Sequence, residues 1–364
     1  MSIGPIIRAQ FKSNGGIPVR FQAIEAVLPS QVITNEDIIE RVKGASQKGL
    51  SPADLASLER RVRALFAMAK TETRYHRAPG QTALELGVSA GRAALKRAGV
   101  DPRDIDLFIY VGVARGYLEP ATANVYQQHL GLVNATCFDL LDACASWLRA
   151  VQVARTFMEA GTYRTILILN SECNTREFGN PRFTSLADLE NRFSGLTIGE
   201  AATATILSPS NGTDDQFHVS FRNWGADHGL CKIPLPHHHE YDNGDDTWPI
   251  TPLQFFARGE RLFRSAFTKM IHHYREDEVI RKFRPEISFS HAASDAMTER
   301  LGKRLKVGPA YLTHRRFGNT VSASIPLGMA FAIQEGKLLS NMKVLLGCGS
   351  AGITTGWACF RYTD

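Results

Sequence analysis

The sequence predicts an α/β fold with packed layers that is built from two related halves. Apolar runs of strand length alternate along the chain with segments in which apolar residues recur at helical spacing, which is the pattern of an α/β protein. One unit of this pattern occurs twice, as in a duplicated fold. A chain of 364 residues is long enough for two domains or for one large duplicated fold.

Five apolar segments are predicted to form strands, and three periodic segments are predicted to form helices. The strands are 106–113, 165–172, 201–207, 286–292 and 343–349. The helices are 83–99, 148–161 and 325–337. Two of these helices end in glycine, the residue preferred just past a helix C-terminus, at Gly99 and Gly161.

The repeated unit consists of a strand that runs into a polar loop, a small-residue segment and a helix that ends at a glycine. Gly161 lies 17 residues after Cys144, and Gly336 lies 17 residues after Asn319. Because the two spacings are equal, we expect Cys144 and Asn319 to occupy matching helix starts in two halves related by a pseudo-two-fold axis.

The seam between the halves is expected in the polar, loop-rich segment 208–215. The first half then comprises residues 1–209 and the second half residues 210–364. His291 follows a strand of the second half, so we expect it to meet the two helix starts near the axis. Strand ends and helix N-termini are where α/β sheets form their sites.

Composition argues against several classes of protein. Apolar residues make up 44% and charged residues 21%, as in ordinary globular proteins. The net charge of +6 is modest and there is no long basic run, so nucleic-acid binding is not expected. No apolar run is long enough to span a membrane, and no signal peptide is expected at the N-terminus. The six cysteines form no CxxC pair, which favours a reduced, cytoplasmic protein.

Two motifs that suggest bound cofactors have ordinary explanations. The adjacent histidines at 237–239 and 272–273 cannot easily converge on one metal ion, so a polar loop is favoured. The segment GCGSAG at 347–352 matches GxGxxG, but it lacks the helix and the acidic residue that a dinucleotide site needs. We therefore predict neither a metal nor another cofactor.

Cys144 lies between an apolar run and a predicted helix, in the segment DACASW. At a helix N-terminus, free backbone N–H groups and the helix dipole both stabilise a thiolate, which is the nucleophilic form of cysteine. A neighbouring backbone N–H can also stabilise a tetrahedral oxyanion. The alternative role for Cys144 is that of a small buried core residue.

His291 and Asn319 are the candidate partners of this cysteine. His291 lies where a strand meets a loop, as a base or a hydrogen-bond donor would, and the alternative is a structural histidine. Asn319 follows a glycine and precedes a helix, so its amide can donate to a substrate carbonyl or simply cap the helix.

Four motifs in order resemble those of the ketoacyl synthase III group of the thiolase superfamily, over most of the chain. They are DACASW, TIGEAATATIL at 197–207, FGNTVSASIP at 317–326 and GSAGITTGWACFRY at 349–362. Glu200 stands where that family usually has aspartate, and Ala201 where it has glycine. The resemblance implies a thiolase fold, with duplicated halves in five αβαβα layers.

The resemblance also implies a mechanism without a cofactor. Cys144 takes an acyl group from a thioester of coenzyme A or of an acyl carrier protein. His291 and Asn319 bind the carbonyl of a second thioester, whose carbanion attacks the acyl-cysteine to form a carbon–carbon bond. The backbone N–H groups of Cys144 and Ala351 would form the oxyanion hole, and a homodimer is implied.

The substrate tunnel and the carrier-docking surface have candidate residues as well. Trp147 lies beside the nucleophile and Phe317 beside the asparagine loop, although Trp147 also suits a simple core position. Carrier-dependent members usually have an arginine where this chain has Ala296. Docking of a carrier protein is therefore assigned to nearby basic residues: Arg300, Lys303 and Arg304.

Glu119 decides the kind of condensation. Its segment YLEPATA closely resembles a loop of the subgroup that joins two acyl chains, which includes the olefin-pathway condensing enzyme, α-pyrone synthases and dialkylresorcinol- or cyclohexanedione-forming ketosynthases. In several of these, a glutamate reaches across the dimer interface and removes the α-proton. An acyl or β-ketoacyl donor keeps its carboxyl-derived carbon and needs such a base, and burial in an apolar tunnel would make the carboxylate more basic.

The favoured function is therefore condensation of an acyl thioester with a second, β-ketoacyl thioester, which can cyclise after joining. Several alternatives stay open. Glu119 can be a solvated loop residue, in which case a malonyl thioester would supply the carbanion by losing CO₂ without a base. The same fold can also transfer an acyl group to a hydroxyl or an amine, or serve as an inactive partner subunit.

Overall fold

The computed structural model describes residues 19–210, 217–241, 251–291 and 293–364. The strands are β1 Val19–Val27, β2 Gln31–Thr34, β3 Thr73–His76, β4 Leu107–Val111, β5 Thr136–Leu140, β6 Ile166–Glu172, β7 Ala201–Pro209, β8 His218–Asn223, β9 Cys231–Lys232, β10 Phe256–Ala257, β11 Ile287–Ser290, β12 Lys343–Ser350 and β13 Thr354–Arg361. The helices are α1 Asn35–Ser46, α2 Pro52–Ala69, α3 Ala83–Ala98, α4 Thr122–Leu130, α5 Ser146–Glu159, α6 Thr175–Phe178, α7 Asp188–Leu196, α8 Gly259–Glu276, α9 Glu278–Lys282, α10 Asp295–Leu305, α11 His314–Phe317 and α12 Ser324–Gln334.

Two sheets carry the fold, and their strands are connected in the same way. The first has the order β1-β7-β6-β4-β5, and the second has the order β8-β13-β12-β11. In each sheet the first and second strands pair antiparallel, the second and third pair antiparallel, and the third and fourth pair parallel. In the second sheet, a parallel bridge from Ser288 in β11 to Ala310 occupies the position that β5 occupies beside β4 in the first sheet. The predicted duplication is thus present in the topology.

The elements stack as α, β, α, β, α. Helices α5 and α12 lie between the sheets in a core that includes residues of β4, β6, β11, β12 and β13. Helices α3 and α4 cover the outer face of the first sheet, and α8, α9 and α10 cover that of the second. Strand β4 lies between two helix layers and is apolar on both faces. Leu107, Ile109 and Val111 face the central core, while Phe108 and Tyr110 face α3 and α4.

The match between the two helix starts differs from the prediction. Each central helix follows a 3₁₀ turn, Ala143–Ala145 before α5 and Val321–Ala323 before α12. The first residue of each turn has a positive φ, 45° at Ala143 and 50° at Val321. Cys144 therefore corresponds to Ser322 and not to Asn319.

The equal spacing to the glycines was misleading because the two helices differ in length. Helix α5 has 14 residues, whereas α12 has 11. The 17-residue spacing from Cys144 to Gly161 includes the longer first helix, so the same count back from Gly336 passes Ser322 by three residues and lands on Asn319. The predicted boundary between residues 209 and 210 falls between β7 and β8, and residues 211–216 of the predicted seam lie outside the described residues.

A small third cluster was not predicted. Helices α1, α2 and α7 pack around Leu58, Phe66 and Phe183, apart from the two sheets. Beside it, Glu200 is fully buried and accepts hydrogen bonds from the backbone N–H of Arg77 (2.6 Å) and the hydroxyl of Thr175 (2.6 Å). The acidic position of the second motif therefore has a structural role. Among the described residues, no helix combines the length and apolar character that a membrane span requires.

Candidate active site

Cys144 lies in a tightly held turn after β5. Ala143 adopts a left-handed conformation (φ 45°), which is costly for a residue with a side chain and is stabilised here by the surroundings. The Ser350 hydroxyl donates to the carbonyl of Asp142 (3.1 Å) and accepts from the backbone N–H of Ala145 (3.2 Å). The turn that carries the thiol is thus tied to the end of β12 in the other half.

The thiol of Cys144 is protonated at rest, contrary to the expected thiolate. Burial raises the pKa of this thiol well above its ordinary value, and nearby Cys348, Cys231 and Glu172 raise it further, while a hydrogen bond from Ser350 lowers it. The stabilisation of a thiolate by the helix start is therefore smaller than the cost of burying its charge. A base must accept the proton when the sulfur attacks.

His291 is oriented to be that base. Its ring Nδ1 lies 3.1 Å from the carbonyl oxygen of Val321. Because a carbonyl oxygen only accepts, Nδ1 carries the proton and Nε2 of the neutral ring has a free lone pair. Burial lowers the pKa of His291 to about 4, so the ring is neutral near pH 7.

Asn319 is fixed through both its backbone and its side chain. Its backbone N–H donates to the carbonyl of Thr197 (2.8 Å), and its side-chain Oδ1 accepts from the N–H of Val321 (2.9 Å). The Nδ2 group is then the free donor of the amide, with no hydrogen-bond partner in the described part of the chain. Gly318 makes the close approach possible, since a Cβ there would lie 2.4 Å from the carbonyl oxygen of Thr197.

The backbone of one residue brings these groups together. Val321 holds Asn319 through its N–H and His291 through its carbonyl. Its 3₁₀ turn packs against the turn that carries Cys144. The structure therefore brings the three predicted residues to one place, at the meeting of the two halves.

The predicted oxyanion donors also lie at this junction. Ala351 begins the turn between β12 and β13, directly after Ser350, which binds the cysteine turn. Among the described residues, no backbone carbonyl accepts a hydrogen bond from the N–H of Cys144 or Ala351. Both donors are available for an oxyanion.

Glu172 is a site residue that sequence reasoning missed. It ends β6, is fully buried, and accepts hydrogen bonds from the hydroxyl of Ser322 (2.5 Å) and the backbone N–H of Ala114 (3.0 Å). Burial raises its pKa, although these hydrogen bonds act in the opposite direction. The available signal was a glutamate at the end of an otherwise apolar strand, in TILILNSE.

Glu119 lies outside this buried site in the single chain. It is exposed, and its neighbours Tyr117 and Leu118 are 54% and 76% exposed. The expected burial in an apolar tunnel is therefore absent within one subunit. Its loop is nevertheless anchored, because the carboxylate of Asp139 in β5 accepts the backbone N–H of Thr122 (2.9 Å) at the start of α4.

The two predicted tunnel residues are packed in the core. Trp147 is buried between the sheets, stacks on Phe21 at 6.4 Å and donates its indole N–H to Thr205 (3.0 Å). Phe317 is buried against Phe331 at 4.8 Å. These contacts favour the core alternative over a tunnel wall for both side chains.

The predicted docking residues form an exposed basic face on α10. Arg300, Lys303 and Arg304 are all exposed, and the guanidinium of Arg300 lies over the ring of Phe267 at 5.1 Å.

All six cysteines are free. Within the described ranges, no group of three or more His, Cys, Asp or Glu residues is arranged to hold a metal ion.

Two family models match the chain. The first, described as 3-oxoacyl-[acyl-carrier-protein (ACP)] synthase III, matches residues 138–227. The second, described as the C-terminal part of 3-oxoacyl-[acyl-carrier-protein (ACP)] synthase III, matches residues 286–362. A β-ketoacyl-[acyl-carrier-protein] synthase III of Rhodospirillum centenum is 27% identical over 347 residues, which cover 93% of this chain and 97% of the relative.

Solved structures share the fold. The 3-oxoacyl-[acyl-carrier-protein] synthase III of Aquifex aeolicus superimposes with a TM-score of 0.76 at 21% identity, over 95% of this chain and 100% of its own. The OleA protein of Xanthomonas campestris, crystallised with lauric acid and lauroyl-CoA, superimposes with a TM-score of 0.79 at 18% identity, over 95% of this chain and 99% of its own. The predicted thiolase fold is confirmed.

Proposed function

We propose that this chain, which is similar to synthases of the ketoacyl synthase III group, is an acyltransferase of the condensing class that joins two acyl thioesters through an acyl group carried on Cys144. The observation that carries the proposal is the backbone of Val321, which orients His291 and Asn319 beside the turn of Cys144. A neutral base, an amide donor and a thiol are the groups that acyl transfer followed by condensation requires.

The first step is acylation of the thiol. As the sulfur of Cys144 attacks the thioester carbonyl, its proton moves to Nε2 of His291. The N–H groups of Cys144 and Ala351 stabilise the tetrahedral oxyanion. When the intermediate collapses, the carbon–sulfur bond of the substrate breaks and the leaving thiolate takes the proton from the imidazolium. Because the thiol pKa is raised and the imidazole pKa lowered, the proton moves during the attack and no ion pair exists beforehand.

The second step forms the carbon–carbon bond. The carbonyl of the second thioester accepts a hydrogen bond from Nδ2 of Asn319, which stabilises the enolate as its α-proton leaves. The enolate carbon attacks the acyl-cysteine, the carbon–sulfur bond to Cys144 breaks, and the leaving thiolate takes up a proton in place of the one that the α-carbon lost to the base. His291 donates to the enolate oxygen only when Nε2 carries a proton, so Asn319 is the permanent donor of the pair.

Glu119 is proposed to remove the α-proton from within a homodimer. Exposed Tyr117 and Leu118 lie in the loop between β4 and α4, and exposed Leu141 directly follows β5, which is the outer strand of the first sheet in the described chain. An outer strand with unpaired backbone groups and apolar neighbours suits pairing with a second copy. That pairing would bury Glu119 at the partner's site.

The substrates are proposed to be an acyl thioester and a β-ketoacyl thioester, delivered by coenzyme A or an acyl carrier protein. The exposed basic face of α10 suits a phosphorylated or acidic carrier. The second candidate function is decarboxylative condensation with a malonyl thioester. It is favoured by the name of the Rhodospirillum centenum relative and by the exposure of Glu119 in a single chain.

Pairs of thioesters test the proposed function. The purified enzyme is incubated with lauroyl-CoA and either a β-ketoacyl-CoA or malonyl-CoA, and the products are identified by mass spectrometry. We expect a product that retains every carbon of both acyl chains with the β-ketoacyl partner. A product formed only from malonyl-CoA, with one carbon lost as CO₂, would establish the second candidate instead.

The pH dependence of acylation tests the role of His291. The ring must be neutral to accept the proton, and its pKa is lowered to about 4, so the neutral form persists to unusually low pH. We expect the rate of Cys144 acylation, measured by intact-protein mass after rapid quenching, to stay nearly constant down to about pH 5. Circular dichroism at each pH is the control for unfolding. A loss of rate centred near pH 6.5, the ordinary value for histidine, would contradict the assignment.

A further inference from the structure

The carboxylate of Glu172 receives hydrogen bonds from two separate segments of the chain. Its Oε1 accepts from the backbone N–H of Val113 (3.1 Å), and its Oε2 accepts from that of Ala114 (3.0 Å). Oε1 also accepts from the hydroxyl (2.5 Å) and the backbone N–H (3.3 Å) of Ser322. With its side chain fully buried, this one group ties the two segments together.

The first segment leads directly to Glu119. It begins at Gly112, which has a φ of 123°, and a Cβ there would lie 2.6 Å from Oε1 of Glu172. The glycine therefore makes room for the carboxylate against the backbone. A loop that starts on Glu172 and is capped at α4 by Asp139 has both ends fixed.

The second segment is the turn that orients the other two partners. Ser322 follows Val321, whose peptide groups hold His291 and Asn319. The Ser322 hydroxyl also accepts from Nδ2 of Asn170 (3.1 Å), so its own proton is directed at Glu172. In the duplicated fold, Ser322 occupies the position of Cys144, and the first half holds it through this carboxylate.

We propose that Glu172 is a positioning residue that sets the Val321 turn, and with it His291 and Asn319, against the loop that carries Glu119. Both of its oxygens accept hydrogen bonds from the chain and its side chain is fully buried, so we assign it to positioning and not to the role of the base. This proposal rests on the proposed function in one respect: its test measures the rate of condensation.

Two variants break the link in different ways. Glu172→Gln removes the charge and turns an NH₂ group toward backbone donors, while Ser322→Ala keeps the charge and removes only the hydroxyl. The matched control is Asp106→Asn. The carboxylate of Asp106 also accepts two backbone N–H groups, from Arg164 (2.9 Å) and Thr165 (3.0 Å), but it lies before β4, at the opposite end of the first sheet.

We expect Glu172→Gln and Ser322→Ala each to lower kcat for condensation by about 10- to 100-fold with little change in KM, because misplaced groups slow the chemistry without touching the substrate. The double variant should be no slower than the slower single variant, since both changes break one link. Asp106→Asn should leave kcat unchanged, and its effect should combine independently with that of Ser322→Ala.

Kinetics and thermal unfolding of the full-length variants together decide the matter. Unchanged kcat in folded Ser322→Ala and Glu172→Gln would overturn the proposal, as would multiplicative effects in the double variant. If Glu172→Gln unfolds, Ser322→Ala alone decides. If the parent enzyme acylates Cys144 but condenses no pair of thioesters, the proposed function fails separately. The positioning role is then measured on the acylation rate, which also depends on His291.

Discussion

Replacing Cys144 by alanine abolishes the acyl-enzyme and lowers the condensation rate by about 10⁴-fold or more, as expected when a nucleophile is removed. The variant should fold, because alanine fills less space in a turn whose backbone is held by Ser350. Intact-protein mass after incubation with an acyl-CoA measures the adduct, and product analysis measures the turnover.

Neighbouring thiols supply the matched controls. Cys231 and Cys348 lie close enough to Cys144 to raise its pKa, and burial raises the pKa of Cys231 to about 12. Cys231 lies in β9 and Cys348 in β12, whereas Cys144 lies in the turn that packs against the Val321 turn. Alanine at either position should leave acylation in place. An adduct that persists in Cys144→Ala and disappears in Cys231→Ala would show that the wrong thiol has been assigned.

The sequence predicted the chemistry of the site better than its symmetry. Cys144, His291 and Asn319 each stand where a strand or loop meets a helix or turn, and such junctions collect at one edge of an α/β sheet. Their meeting could therefore be predicted without coordinates. The matching of Cys144 with Asn319 was wrong because it was counted from helix ends, and the two central helices differ in length.

Features that depend on the surroundings of a side chain could not be predicted in this way. Glu172 looks like any strand-end glutamate until the fold brings Ser322 and Ala114 to its carboxylate. The protonated state of Cys144 follows from burial, which the small-residue sequence around it does not reveal. Trp147 was ambiguous from sequence because both a core and a tunnel position are apolar.

Glu119 is the residue on which the type of condensation depends. A malonyl thioester generates its carbanion by losing CO₂, whereas an acyl or β-ketoacyl thioester must lose a proton to a base. We expect Glu119→Ala to retain acylation of Cys144 and to lower condensation by about 10²- to 10⁴-fold, the usual contribution of a general base. The exposed Glu40 supplies the matched control, since Glu40→Ala should change neither step. Full condensation activity in Glu119→Ala would leave the decarboxylative route.

Because Glu119 is exposed in one chain, its action requires a second copy, and mixing two inactive variants tests this directly. A dimer of one Cys144→Ala and one Glu119→Ala subunit has one site with both groups intact if the glutamate acts on its partner. The mixed dimer should then have about half of the parent activity, since one of its two sites is intact. The two variants, with different affinity tags, are co-expressed and the mixed dimer is purified through both tags. No recovery in a purified mixed dimer would place the glutamate and the cysteine of each working site in the same subunit.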